Sequence, residues 1–219
     1  MSFAGTPGRH YNEPDERNAR GRRRNLREHR GLALPDTAPQ TAGGKVLWHF
    51  SMSLDGFVAG PNHSMDWMRG TARPGIVEEY VETTGAVLGG RSGWDVYPDP
   101  TAIYGGAWQG PVFVLTHHPE DATPAAGVTF LNCDVAEAVR IGLEAAAGKN
   151  LEVFSPTIGR QLLERGLIDE IDIHIAPVLL GDGIRLFDNP GGTPIPLALA
   201  NGDDPDAEVN LRYRPIHPS

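Results

Sequence analysis

The sequence has little cysteine, no long apolar run and a deficit of positive charge, and each shortage excludes a class of protein. Cys133 is the one cysteine among 219 residues, so an internal disulfide framework is excluded, and we expect a reducing, cytoplasmic location. No stretch approaches the roughly 20 apolar residues that a membrane helix needs, and the first residues lack the apolar core of a signal peptide. The net charge of -9 argues against general nucleic-acid binding.

Residues 1–44 differ in composition from the rest of the chain. They are rich in arginine, glycine and proline and contain almost no periodic apolar residues. Such a segment cannot bury enough apolar surface to offset its ordering entropy, so we expect a flexible arginine-rich extension, with a short helix near residues 17–30 as an option. A solvated arm, or one that packs on a neighbouring subunit, is favoured over an arm that binds nucleic acid or a partner. The folded domain is expected at residues 45–219.

Residues 151–188 show a strand, turn, helix and strand in succession. A short apolar strand ends at Phe154, and Ser155 follows as a helix N-cap, with Pro156 at the first helical position. Gly166 ends the helix, and the alternating residues 171–175 predict a strand with one buried face. The N-terminus of a helix beside a sheet edge attracts anions such as phosphate. An ordinary crossover helix that binds nothing fits the same pattern.

Strands alternate with helices through the remainder of the domain. Strands are expected at 46–50, 84–88, 111–116 and 128–131, with helices at 76–83 and 135–147, and the segments 195–199 and 209–213 are expected to be closing, antiparallel strands. This order predicts an α/β, three-layer sandwich with a mainly parallel central sheet covered on both faces.

Four polar or glycine-bearing loops follow these strands, at residues 51–60, 89–93, 116–118 and 154–157. Ligands on parallel sheets bind outside the carboxyl ends of the strands, so we expect the four loops to converge on one crevice. Gly90 allows close backbone approach, and Arg91 is a candidate phosphate ligand. A glycine turn with a surface arginine is the simpler interpretation of this pair.

Four segments resemble the dihydrofolate-reductase-like superfamily, in the branch shared with the reductase domain of bacterial riboflavin biosynthesis. These segments are residues 53–60 (SLDGFVAG), Gly90-Arg91, residues 166–170 (GLIDE) and residues 177–187 (PVLLGDGIRLF). The resemblance covers about residues 45 to 214 and implies a dihydrofolate reductase-like fold. It also implies an NADPH-dependent reductase that acts on a small heteroaromatic (pterin- or pyrimidine-like) or carbonyl substrate. Relatives usually pair, so a homodimer is expected.

The resemblance also implies roles for individual residues. Val58 and Ala59 would contact the nicotinamide carboxamide, and Trp67 occupies the place of a tryptophan beside the substrate. The remaining residues implied to hold NADPH are Gly90, Arg91 and Ser92 at the phosphates, Leu115, Thr116 and His117 near the ribose and 2′-phosphate, and Phe154, Ser155, Pro156, Thr157 and Ile158 around the diphosphate. Phe154 stands where the family has a glycine.

The catalytic acid has no clear counterpart in the sequence. Asp55 is the candidate to test first, although an aspartate before glycine can serve only to fix a loop through backbone N–H groups. Ser51, Ser53 and Trp67 are candidate substrate contacts. Two other functions remain open: a non-catalytic protein that binds NADPH or another nucleotide, and a metal-dependent hydrolase that uses His117, His118 and His174.

Overall fold

A six-stranded parallel sheet forms the centre of the protein, in a computed structural model that describes residues 39–68 and 75–197. The strands are β1 (Val46–Ser53), β2 (Phe57–Ala59), β3 (Thr84–Gly90), β4 (Val112–Leu115), β5 (Val128–Leu131), β6 (Asn150–Phe154), β7 (Glu170–Ala176) and β8 (Ile184–Arg185). The order of the main sheet is β5-β4-β3-β6-β1-β7, and each neighbouring pair is parallel. β2 and β8 form a small antiparallel pair.

Helices cover both faces of this sheet, which confirms the α/β layers expected from the sequence. The helices are α1 (Ile76–Thr83), α2 (Arg91–Val96), α3 (Val135–Ala146) and α4 (Pro156–Glu164). On one face, α3 and α4 pack their apolar residues against Trp48, Leu88 and Leu151. On the other face, α1 and the segment around Trp108 cover a smaller apolar cluster centred on Val114. Among the residues described, no helix has the length and apolar character needed to cross a bilayer.

The ends of α4 follow the signals in the sequence. Ser155 caps the helix by accepting a hydrogen bond from Ile158 N at 3.3 Å, and Pro156 follows the cap. At the other end, Gly166 has a φ of 67°. Its N–H donates to Leu163 O, and Leu167 N donates to Leu162 O, as in a Schellman motif. The left-handed conformation explains why glycine stands at this position.

Asn150 ties the segment before β1 to the sheet. Its fully buried Oδ1 accepts hydrogen bonds from Gly43 N and Lys45 N, and its Nδ2 donates to Thr41 O. Residues 41–43, which the composition assigned to the extension, are therefore held by the folded domain. The arginine-rich part of the extension, the expected helix at 17–30 and the expected strand at 209–213 lie outside the described residues. Residues 195–197, the start of the other closing strand, have no regular structure.

Gly159 brings α4 into direct contact with β1, and this contact yields a stability prediction. A Cβ at position 159 would overlap the Trp48 indole, which is buried. We expect Gly159→Ala to lower the free energy of unfolding by about 1–3 kcal/mol, because a packed core tolerates an added methyl poorly. Urea unfolding measures the change.

Gly93 supplies the control for this substitution. A Cβ at this helical position meets nothing within 4 Å, so Gly93→Ala should be neutral or stabilising. Equal stability of the two variants would contradict the packing argument.

Candidate active site

The loops predicted to converge do lie at one edge of the sheet. β4, β3, β6 and β1 are neighbours and run in the same direction, so their carboxyl ends meet at this edge. Gly89 pairs with Phe154, and Gly90 pairs with Leu115, which sets the three loops side by side. A Cβ on Gly90 would lie 3.1 Å from Ser155 Oγ. Gly90 therefore lets the end of β3 approach the first turn of α4 closely, and the edge formed by Gly90 and Ser155 is called the cradle below.

The Phe154 ring does not fill this cradle. Its ring centroid lies 6.3 Å from that of His49 and 6.3 Å from that of Tyr104, within the aromatic cluster on the face covered by α1. Because the ring lies on that face, the N-terminus of α4 stays at the edge of the sheet, as the sequence predicts. Backbone N–H groups at such an end favour an anionic ligand. The residues present fit the diphosphate of a dinucleotide on this ground.

Arg91 has a different set of partners from the phosphate contact implied by the family resemblance. Its Nε donates to Asp95 Oδ1 at 2.6 Å, and its two terminal nitrogens donate to His118 O and Asp121 O, each at 3.2 Å. These bonds fasten the turn after β4 to the start of α2. The guanidinium thus shapes the loop beside the cradle, and a phosphate contact would have to replace some of these bonds.

The histidines considered as metal ligands are not brought together. His117 and His118 are exposed at the end of β4, whereas His174 lies on β7. Three strands separate β4 from β7, and neighbouring strands are about 4.8 Å apart. This separation rules out a shared metal ion, so the hydrolase hypothesis is wrong in its choice of ligands. The buried Thr116 hydroxyl instead accepts a hydrogen bond from His118 N at 3.1 Å.

Val58 and Ala59 lie in β2 and are almost fully buried. Val58 packs into the main core, so only its backbone remains for the cofactor contact implied by the resemblance. Trp67 lies in a short 3₁₀ turn, Asp66–Met68, and its indole nitrogen is buried without a hydrogen-bond partner among the described residues. A buried N–H that lacks an acceptor is a group that a ligand can satisfy. This observation keeps Trp67 as a substrate-contact prediction.

Asp55 holds two loops together. Its carboxylate accepts hydrogen bonds from Ser53 Oγ at 2.7 Å, from Leu180 N at 3.0 Å and from Gly181 N at 2.7 Å. The bond from Ser53, with those from the two backbone N–H groups, lowers the pKa of the Asp55 carboxyl from 3.8 to about 2. An ionised carboxylate with three donors fits the anchoring role better than the role of a proton donor. Asp55 therefore shapes the loop after β1 and the loop before β8.

Glu152 lies in the middle of β6 with no exposed surface. Its Oε1 accepts a hydrogen bond from Thr84 Oγ1, and its Oε2 accepts one from Tyr104 OH. The Nδ1 atom of His49 lies 3.3 Å from the same Oε2. All three partners can donate a hydrogen bond, so both side-chain oxygens of Glu152 can act as acceptors.

The network continues from His49 to β7. His49 Nε2 and His174 Nε2 are 2.9 Å apart, and the two rings are nearly perpendicular. The Tyr80 ring of α1 stacks on His49 with a centroid separation of 3.9 Å, and its hydroxyl donates to Asp172 Oδ2. The Glu152–His49–His174 line, together with Thr84, Tyr80, Tyr104 and Asp172, is called the buried network below.

Both tyrosines of the buried network stay protonated. Burial, together with Asp172, raises the pKa of Tyr80, and burial, together with the negative charge of Glu152, raises the pKa of Tyr104. Their hydroxyls therefore act as donors to the two carboxylates at any physiological pH.

The buried network was not predicted from the sequence. His49 falls in the strand expected at 46–50, and Glu152 falls in the short apolar strand expected to end at Phe154. The available signal was a charge flanked by Leu151 and Val153, because an acidic side chain in a central strand needs buried partners. Nothing in the sequence identified Thr84, Tyr104 and His49 as those partners.

This fold and this arrangement of loops define a dihydrofolate reductase-like α/β domain whose loops meet at the carboxyl ends of its strands. Residues 44–201 match the family described as the RibD C-terminal domain. The chain belongs to this family, which confirms the branch that the sequence resembles.

Three relatives illustrate the similarity. The uncharacterized protein YwjB of Bacillus subtilis (strain 168) is 30% identical over 148 residues, which is 65% of this chain and 82% of the relative. A putative riboflavin biosynthesis protein from Shewanella sp. PV-4 superimposes with a TM-score of 0.53 at 23% identity, over 68% of this chain and 86% of that one. Dihydrofolate reductase from Enterococcus faecalis, complexed with NADP(H), gives a TM-score of 0.51 at 14% identity, over 68% and 80% of the two chains. The two solved structures show a shared fold.

The anchoring role of Asp55 predicts a pH-dependent effect on stability. The folded-state pKa of about 2 lies below the ordinary 3.8, so the stabilisation is present above 3.8 and is lost as the pH falls towards 2. Asp55→Asn should therefore lower the melting temperature near neutral pH, and the difference from the unchanged protein should shrink below pH 3.8. Thermal unfolding across this range measures it.

Asp188→Asn is the control, because it removes an exposed carboxylate that lies seven positions after Gly181, one of the residues that Asp55 anchors. It should leave the melting temperature nearly unchanged at every pH. A deficit in Asp55→Asn that persists unchanged at low pH would contradict the anchoring role.

Proposed function

We propose that this protein is an NADPH-dependent reductase that transfers a hydride to a small heteroaromatic (pterin- or pyrimidine-like) or carbonyl substrate. The observation that carries the proposal is the cradle between Gly90 and Ser155, where two adjacent parallel strands end beside the N-terminus of α4. The reductase-like fold of the family agrees with it. The Enterococcus faecalis dihydrofolate reductase of similar fold holds NADP(H), which supports the choice of cofactor.

The cofactor, when bound, supplies the hydride, and the protein positions it. Ser155 and the first N–H groups of α4 would face the diphosphate, and the loop fastened by Arg91 would border the adenosine end. Ser51 and Trp67 are the proposed substrate contacts at the carboxyl side of β1. Asp55 would set the shape of the loop that precedes Val58 and Ala59.

A second candidate function is NADPH binding without turnover. The observation that favours it is the state of Asp55, whose ionised carboxylate is occupied by three donors and supplies no proton. The two functions differ in one measurement, which is NADPH oxidation in the presence of pterin, pyrimidine and quinone acceptors. Binding with oxidation supports the reductase, and tight binding without oxidation across the panel supports the second candidate.

The cradle predicts the effect of removing the Ser155 hydroxyl. Ser155→Ala should raise the dissociation constant for NADPH by about 10-fold, because one hydrogen bond to a charged group and the order of the first turn of α4 are lost. It should also lower the free energy of unfolding by about 1 kcal/mol through loss of the cap. Nicotinamide fluorescence and urea unfolding measure the two effects.

Asp134→Ala is the matched control, because Asp134 caps α3 by accepting a hydrogen bond from Ala136 N at 2.9 Å. It should lower stability by a similar amount and leave NADPH affinity unchanged. The cradle is not the cofactor site if Ser155→Ala binds NADPH as tightly as the unchanged protein does. The same conclusion follows if the unchanged protein does not bind NADPH.

The contacts of Arg91 predict how its removal changes the affinity for NADPH and NADH. Since its guanidinium holds the 118–121 turn through two carbonyls, Arg91→Ala should weaken NADPH and NADH by the same factor. Arg140→Ala, at an exposed arginine on α3, should change neither affinity. A loss confined to NADPH would instead mean that Arg91 binds the 2′-phosphate directly.

A further inference from the structure

We propose that Asp95 is a specificity-determining residue: it holds Arg91 and adds a negative charge beside it, so that the protein accepts NADH about as readily as NADPH. This inference rests on the proposed function and refines its cofactor, since the two dinucleotides differ only in the 2′-phosphate of NADPH. Arg91 borders the adenosine end of the proposed cofactor, so the partners of Arg91 decide how strongly that phosphate is attracted.

The guanidinium of Arg91 is held by three oxygen atoms of the protein. Arg91 begins α2 directly after Gly90, and its Nε donates to Asp95 Oδ1 at 2.6 Å, one helical turn further along. Its terminal nitrogens donate to His118 O and Asp121 O, each at 3.2 Å. The two carbonyl oxygens are neutral, whereas the Asp95 carboxylate carries a full charge that offsets the charge of the arginine. The cation is therefore paired before any ligand arrives.

Carboxylates outnumber cations around the turn that follows β4. Glu120 and Asp121 are exposed there, and one oxygen of each carboxylate and a ring nitrogen of His118 all lie within 4.8 Å of one another. With Asp95 they carry three negative charges at neutral pH. The positive charges are two at most, from Arg91 and from His118 when it is protonated. Because a phosphate monoester brings almost two further negative charges, this surface gives the 2′-phosphate no net attraction.

The order of the strands places this turn on the adenosine side of the cradle. The diphosphate is proposed to lie at the N-terminus of α4, which follows β6, and β6 lies between β1 and β3. The nicotinamide is proposed to lie towards β1, so the adenosine half extends the other way, across β3 towards β4. Gly90 pairs in register with Leu115, which sets the start of α2 beside the residues that follow β4.

Loss of the Asp95 side chain would leave Arg91 in place with one partner fewer. The bonds to His118 O and Asp121 O still hold the guanidinium at the turn, and its Nε–H becomes free to donate to a phosphate oxygen. Such a charge-assisted bond strengthens NADPH binding, whereas NADH has no phosphate to accept it. Because the Arg91–Asp95 pair is partly exposed, it adds little stability, and the fold should not depend on it.

Fluorescence titrations of the full chain with NADPH and with NADH test this inference. The two dissociation constants of the unchanged protein should lie within about 3-fold of each other. Asp95→Ala should tighten NADPH binding by about 5-fold or more and leave NADH binding within about 2-fold, because only NADPH carries the phosphate that Arg91 can then bind. Asp95→Asn removes the charge and keeps the size, and it should change the ratio in the same direction.

A double variant identifies the group that Asp95 releases. Addition of Arg91→Ala to Asp95→Ala should abolish the gain in NADPH affinity, because the arginine that makes the new phosphate contact is then missing.

Glu144→Ala is the matched control. Glu144 accepts a hydrogen bond from Arg140 at 3.0 Å in an exposed pair on α3, with the same four-residue spacing and the same order as Arg91 and Asp95. Its removal should change the affinity for neither dinucleotide.

Three results would overturn the role of Asp95. They are an unchanged protein that binds NADPH more than about 3-fold more tightly than NADH, an Asp95→Ala variant with an unchanged ratio, and a gain that survives the removal of Arg91. In each case the dinucleotides still bind, so the proposed cofactor site stands. If the unchanged protein binds neither dinucleotide, the proposed function and this inference are both wrong.

Discussion

The buried carboxylate of Glu152 connects three separate parts of the chain on one face of the sheet. It has no exposed surface, so it must be satisfied by donors from the protein. Those donors come from three separate parts of the chain: Thr84 at the start of β3, His49 in β1, and Tyr104 in the segment between α2 and β4. One acid thus fixes two neighbouring strands and the connection that covers them.

The parallel direction of the strands brings the residues of the proposed cofactor site together at one edge of the sheet. Because the carboxyl ends of β4, β3, β6 and β1 share an edge, Gly90 and Ser155 form a cradle there although 65 positions of sequence separate them. The buried network lies on one side of the sheet, and its His49 ring lies beside the Phe154 ring, which directly precedes the Ser155 cap. The side chain of Phe154 therefore contacts the buried network, while the residue after it caps α4 at the proposed cofactor site.

Asp55 and Arg91 organise the loops around the cradle. Asp55 joins the loop after β1 to residues 180–181, and Arg91 joins the start of α2 to the 118–121 turn. Each is a charged side chain that makes two hydrogen bonds to backbone groups of another loop. Such contacts lower the freedom of the loops before any ligand arrives, which reduces the entropy that binding must overcome.

The sequence by itself determined the layers, the strand that ends at Phe154, the Ser155 cap and the Gly166 helix end, because these depend on local patterns of apolar, capping and left-handed residues. It also determined that the loops share an edge, since alternating strands and helices require a parallel sheet. Only the tertiary structure decided which groups His49, Glu152 and His174 contact. Their partners lie 48 to 125 positions away in the chain, and the sheet order that brings them together is set by packing of the whole core.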